Sequence, residues 1–262
     1  MFGLKEYRAV RSLDEAYELL VKSRDNVILG GLLWMKMGRK QYHTGVDLSG
    51  LGLNSIFETG DSIDIGCMTT LRQMETSLLL YQWFGPLFSD AFKGIVGVQF
   101  RNLATLGGSV YSRFGFSDVI TALTALDTKI HLYQAGIMPL SEFLTLDQKR
   151  DIIVKAVIGK QATKTNFQTL RKTATYFPVL SVATSLCRGH WKIAVGARPS
   201  RASLAIKAAG LLSLKPCENE ITAVSESAAH ELSFGTDQRA GADYRKILAR
   251  VLVKRGITAI CR

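Results

Sequence analysis

Gly30-Gly31, within VILGGLLWMKM, and Gly107-Gly108, within QFRNLATLGGSVYSRFGFSDV, are the residues of this sequence best suited to hold a ligand through the main chain. Glycine lets a backbone approach an anion closely and take either sign of φ, so its N–H groups can donate where a side chain would stand in the way. Thr105 and Ser109 flank the second pair with hydroxyls. The first pair runs into Leu32, Leu33 and Trp34, whose side chains bring neither hydroxyl nor charge. Neither pair fits the dinucleotide fingerprint GxGxxG or the P-loop GxxxxGKS/T. Two such loops either clamp a pyrophosphate between them or are simply turns, and the stretches alone do not decide which.

Few other residues offer chemistry. His43, His131, His190 and His230 are dispersed without ligand spacing, so no metal site and no nucleophile–base arrangement is expected. Cys67, Cys187, Cys217 and Cys261 are too scattered for a CxxC motif, and buried free thiols are the expectation. No catalytic residue is assigned. Asp118 follows Ser117 at the head of VITALTAL, and its local reading is a helix cap.

The 262 residues have a globular composition, and a formal net charge of +11 raises the question of nucleic acid. No nucleic-acid motif accompanies that charge. The densest basic stretch holds Lys149, Arg150, Lys155, Lys160, Lys164, Arg171 and Lys172, either a solvated face or a docking surface for an acidic partner or a phosphate-bearing ligand. No apolar run approaches the roughly 20 residues of a membrane span. The N-terminus lacks a signal-peptide pattern, so a cytoplasmic protein is expected.

Elements that would position the loops can be read from pattern. Ser12-x-x-Glu15 marks a capping box, with Leu13, Ala16, Leu19 and Leu20 facing inward, and VILGG supplies a strand. VDLSGLGLNSI reads as a further strand with a glycine-rich turn, and DSIDIGCMTTL as a half-buried strand. Thr70 with Gln73 opens a helix before METSLLLYQWF, and ALTALDTKIHLY changes from helical spacing to strand alternation at Lys129. Beyond a boundary near residue 163, LSVATSLCRGHWKIAVGA reads as a hairpin around Arg188-Gly189. The last helix has Tyr244, Ile247, Leu248, Val251 and Leu252 at helical spacing, with Lys254 and Arg255 near its end and Gly256 as its stop.

The second glycine stretch, with FSDVITALTALDTKIHLY and PLSEF after it, resembles the FAD-binding domain of molybdenum hydroxylases, the xanthine dehydrogenase and carbon monoxide dehydrogenase group. The matching residues are Arg101-Asn102, Ala104-Thr105, Gly107-Gly108, Asp118 and Leu126-Asp127. LGGLLW stands where that family has AGGTDL, IGCMTTLRQME resembles IGAxtTLxxxe, and DQRAGADYRKILARVLVKRGI resembles the family's C-terminal segment.

The resemblance implies an α+β fold of the molybdopterin-dehydrogenase (PCMH-like) type. Residues 1–162 would form a FAD-binding domain of two subdomains, about 1–57 and 58–162, followed by a sheet-plus-helices domain at 163–262. It implies FAD contacts from Ile28, Leu29, Gly30, Gly31, Leu32, Leu33, Thr105, Gly107, Gly108, Ser109 and Asp118, with Arg171 and Tyr176 in a region some relatives bring near the flavin. The implied function is that of a xanthine dehydrogenase-like oxidoreductase subunit. It would pass electrons from a partner's 2Fe-2S clusters through FAD to NAD⁺ or another acceptor, with molybdopterin in a large partner subunit. Leu32 and Leu33 replace the family's polar side chains and keep a flavin-free scaffold open as the alternative.

Overall fold

The computed structural model describes residues 2–147 and 150–262. Lys149 of the basic stretch lies outside the described residues. The chain divides into two compact units, each assembled from separated segments. The first takes the chain through Met74, with Val98–Ser112 and Lys129–Ile158; the second takes Glu75–Gly97, Arg113–Thr128 and Gly159–Arg262.

The first unit opens with a parallel three-stranded sheet of β1 (Gly3–Ala9), β2 (Val27–Leu29) and β3 (Gln41–Asp47), in the order β1-β3-β2. The helix Leu13–Lys22 joins β1 to β2, with Ala16 and Leu20 as its buried residues. Ser12 caps it by accepting from the Glu15 N–H at 3.1 Å, while the Glu15 carboxylate reaches one residue further back than a standard box, to the Arg11 N–H. Arg150 closes the other end of that connection. Its guanidinium donates to the carbonyls of Leu20, Ser23, Arg24 and Asn26 at 2.6–2.9 Å, which satisfies oxygens the helix end leaves open.

The second sheet has five strands in the order β4-β5-β8-β6-β7: β4 (Ile56–Thr59), β5 (Ser62–Gly66), β6 (Thr128–Leu132), β7 (Gly136–Pro139) and β8 (Ile153–Gly159). β5 is buried on both faces from Ile63 to Gly66 rather than alternating. Asp64 tolerates this because Lys155 donates to its carboxylate at 2.6 Å. Thr70 and Gln73 do exchange hydrogen bonds at the start of helix Leu71–Glu75. The helical run expected through METSLLLYQWF breaks, and Ser77 caps a separate helix, Leu78–Phe84.

In the second unit, β9 (Thr163–Arg171), β10 (Pro178–Cys187), β11 (His190–Gly196) and β12 (Ser203–Leu204) form an antiparallel sheet in the order β12-β11-β10-β9. Arg188 (φ 47°) and Gly189 (φ 82°) make the expected tight hairpin, pairing Cys187 with His190. Leu180, Val182, Ile193 and Val195 pack against the helices Glu218–Glu231 and Ala242–Cys261.

That last helix corrects two expectations. Tyr244, Ile247 and Val251 are exposed, and the buried stripe runs through Arg245, Leu248, Ala249, Leu252, Val253 and Gly256. Gly256 does not end the helix. A Cβ there would sit 2.8 Å from the Thr184 hydroxyl, so glycine lets the helix approach β10. Arg245 is fully buried because its guanidinium donates to the carbonyls of Val179, Gly235 and Ala240 and to Asp237.

Among the cysteines only Cys67 is buried; Cys187 is half-buried, and Cys217 and Cys261 are exposed, all as free thiols. Nor is the basic stretch one solvated or docking face. Arg150, Lys155 and Arg171 are internal partners of backbone carbonyls, Asp64 and Asp118 respectively. No helix among the described residues is long and apolar enough to cross a membrane.

Candidate flavin site

Both glycine loops belong to the first unit, and the structure brings them into contact. A Cβ on Gly30 would lie 2.9 Å from the Thr105 hydroxyl and 3.9 Å from the Gly108 Cα. One on Gly31 would lie 1.8 Å from the Leu103 carbonyl oxygen. Real side-chain atoms do not approach a backbone oxygen so closely, so Gly31 is what allows the first loop to seat on the second.

In the second loop every N–H from Leu106 to Ser109 has an acceptor. Thr105, buried with extended backbone, caps the helix Leu106–Tyr111 by accepting from the Gly108 N–H at 3.2 Å. The Leu106 N–H donates to the Thr69 carbonyl at 2.9 Å and the Gly107 N–H to that of Cys67 at 2.7 Å. Ser109 donates both its N–H and its hydroxyl to the Thr105 carbonyl, at 3.0 and 2.8 Å. The hydroxyl oxygen keeps its acceptor capacity. Gly107 also lets the helix rest on Cys67, whose Cβ and carbonyl would each be 2.9 Å from an added methyl. Burial pushes the Cys67 thiol up to about 12, so it stays protonated and inert.

The first loop is the opposite. Ile28 and Leu29 are held in β2, paired with Val46 and Asp47 of β3. Past them, Leu32 takes a left-handed backbone (φ 63°, ψ 0°) and caps the short helix Leu33–Met37 with no side-chain hydrogen bond. Among the described residues, the N–H groups of Gly31, Leu32 and Leu33 have no acceptor. Residues 30 to 33 are all half-buried, so these donors are neither sealed off nor fully hydrated. Successive unpaired N–H groups around a left-handed residue form an anion-binding concavity. The sequence could not announce it, because leucine is not a residue that signals φ > 0.

Chain residues 2–160 match the family of the FAD binding domain in molybdopterin dehydrogenase. The chain belongs to this family. Relatives of this FAD-binding protein span its whole length. It is 25% identical over 272 residues to the nicotine 6-hydroxylase medium subunit of Paenarthrobacter nicotinovorans, covering 96% of this chain and 95% of that one. It is 24% identical to the carbon monoxide dehydrogenase medium chain of Hydrogenophaga pseudoflava, covering 97% and 96%. A solved structure of carbon monoxide dehydrogenase from the same organism superposes with a TM-score of 0.89, covering 98% of each chain at 24% identity. Quinoline 2-oxidoreductase from Pseudomonas putida 86 superposes at 0.87, covering 98% of this chain and 96% of that one, at 23% identity. The fold is therefore the two-domain α+β fold of these flavoprotein subunits, and FAD is the cofactor of the family. The unpaired donors of Gly31, Leu32 and Leu33, beside a second loop without side chains at Gly107 and Gly108, fit a phosphate-bearing cofactor.

Asp118 lies in the second unit, at the first position of the helix Asp118–Thr124. The cap is Ser117, which accepts from the Ile120 N–H at 3.2 Å, so Asp118 is not the capping residue. Its buried carboxylate pairs with Arg171 and accepts from the Ser181 hydroxyl at 2.6 Å. Burial pushes its carboxyl above the ordinary range, against the opposing pull of Arg171 and Ser181. Tyr176 is exposed, in the loop that follows Arg171.

Proposed function

We propose that this chain is the FAD-carrying medium subunit of a molybdenum-containing hydroxylase, an oxidoreductase of the xanthine dehydrogenase kind that acts as part of a complex. The observation that carries this is the row of unpaired N–H groups at Gly31, Leu32 and Leu33 seated on the Thr105–Ser109 loop. Gly30, Gly31, Leu32 and Leu33 would hold the cofactor's pyrophosphate through the main chain. Thr105, Gly107, Gly108 and Ser109 would support it, offering close approach and the Ser109 hydroxyl oxygen as acceptor. Ile28 and Leu29 fix the loop's entry by their ladder with β3.

FAD, when bound, would supply the redox chemistry. The chain's own residues would bind and orient it. No side chain is assigned a proton transfer. In such a complex 2Fe-2S clusters would lie in a small partner subunit and molybdopterin in a large one, NAD⁺ or another compound would serve as electron acceptor, and the assembly would be cytoplasmic. This assignment draws on the medium-subunit relatives.

The test is an absorbance titration of the purified chain with FAD. Flavin bands shifted and sharpened from those of the free cofactor are expected. A spectrum identical to free FAD at every ratio, in the chain alone and in the complex, would leave a flavin-free scaffold as the reading. Leu32 and Leu33 favour that second reading because they bring no polar side chain to the loop.

A further inference from the structure

We propose that Asp118, Arg171 and Ser181 form a clamp that fixes the loop 172–177, and that Asp118 is a positioning residue acting through Arg171. The clamp is a property of this chain alone and does not rest on the function proposed above.

Both oxygens of the Asp118 carboxylate are engaged. One accepts from the Ser181 hydroxyl at 2.6 Å and the other from a terminal nitrogen of Arg171. The Asp118 side chain is 3% exposed and that of Arg171 9%, so each charge depends on the other for its compensation. Arg171 ends β9, and the loop begins directly after it. Its second terminal nitrogen donates to the Tyr176 carbonyl at 2.6 Å. One planar guanidinium therefore ties the end of the loop to its beginning while Asp118 holds the guanidinium in place. Lysine, with one nitrogen on a flexible stem, cannot reproduce that fork. Gly94 makes room for it: a Cβ there would stand 3.0 Å from the Arg171 Nε.

The far side of the loop is pinned as well. Phe177 packs on Phe116 at 4.5 Å between centroids, and Phe116 stacks on Phe114 at 5.0 Å. Arg239 lies over Phe116 at 5.7 Å and is itself paired with Asp237. The side chains so presented are Tyr176 and Phe177, 45% and 38% exposed.

Limited trypsin digestion of the full chain without FAD tests the clamp, with cleavage after Lys172 followed by mass spectrometry. Arg171→Lys keeps a cation beside Asp118 but cannot also reach Tyr176, so cleavage should accelerate at least tenfold while the melting temperature is largely kept. Asp118→Asn should accelerate it comparably, and the double variant no further; Ser181→Ala should give a two- to threefold rise. Cleavage of Arg171→Lys at the wild-type rate would overturn the clamp, whether or not Asp118→Asn folds. Equal acceleration in the two single variants Arg171→Lys and Asp118→Asn identifies Asp118 as a residue that positions the loop through Arg171, and acceleration in only one of them would overturn that assignment.

Discussion

The two glycine loops touch each other but are built on opposite principles. In the second, a threonine cap, acceptors for every N–H from Leu106 to Ser109 and a helix resting on Cys67 satisfy local rules. In the first, a leucine sits at φ 63°, no side chain caps the helix, and three successive N–H groups lack acceptors among the described residues. Local rules are broken most often where function needs them broken. The comparison assigns the second loop the part of a platform and the first that of the ligand-holding surface. The hydroxyls of the second loop, which look like binding groups in the sequence, are largely engaged in holding the platform together.

The sharpest way to break this pairing is Gly31→Ala. A methyl 1.8 Å from the Leu103 carbonyl oxygen cannot be absorbed by a side-chain rotation, because the obstacle is backbone. We expect a loss of about 3 kcal/mol in stability, the upper range for overpacking, and FAD affinity reduced by at least tenfold in titration. Gly30→Ala meets only the Thr105 hydroxyl at 2.9 Å, so it should cost less than half as much by denaturant melt. Equal costs for the two would mean that the loops separate easily.

Cysteine labelling sharpens the same comparison from beneath. In mildly alkaline buffer an alkylating reagent should modify exposed Cys217 and Cys261 and leave Cys67 untouched, since burial holds that thiol protonated to about pH 12. The pH sign is that reactivity at Cys67 rises only as pH approaches that value, or as the platform opens. Gly31→Ala should therefore expose Cys67 to reagent. Continued protection would show that the platform stands without the first loop.

Thr105→Ala comes next in size. It removes the acceptor of the Gly108 N–H and should destabilise by about 1 kcal/mol, the usual worth of a helix cap. Thr105→Ser keeps the hydroxyl and should behave like wild type in the same melt. A Thr105→Ala variant that lost FAD binding but not stability would move that hydroxyl from platform to ligand.

What the sequence makes legible follows the range of each interaction. The Thr70–Gln73 box, the turn at Arg188-Gly189 and the strand before Gly30 are local patterns, and each forms where its residues point. The two glycine pairs raise the idea that residues 30–31 and 103–108 meet but do not decide it, since no periodicity joins such distant loops. Long-range charges were invisible. Arg245 reads as a surface residue of an amphipathic helix until Val179, Gly235, Ala240 and Asp237 are folded around it, and its burial rotates the apolar face away from Tyr244 and Ile247. The cations of the basic stretch misled for the same reason, because Arg150, Lys155 and Arg171 find partners at least 53 residues away. A charge in sequence shows no partner, so its default reading is solvent.

The smallest expected effect bears most directly on the first loop. Leu32 holds a left-handed backbone that costs an L-residue about 1–2 kcal/mol. Leu32→Gly removes that strain but adds about 0.5–1 kcal/mol of unfolded-chain entropy, so a net gain near 0.5 kcal/mol is expected in a denaturant melt. Leu32→Ala keeps the strain and should not share the gain. Neither substitution removes a backbone N–H, so if the main chain is what holds the cofactor, FAD affinity should stay within threefold of wild type in both. A tenfold loss in Leu32→Gly with the fold intact would mean that the strained leucine preorganises the donors. The apolar side chain that makes this loop look ill-suited to a flavin would then be the feature that fixes its shape.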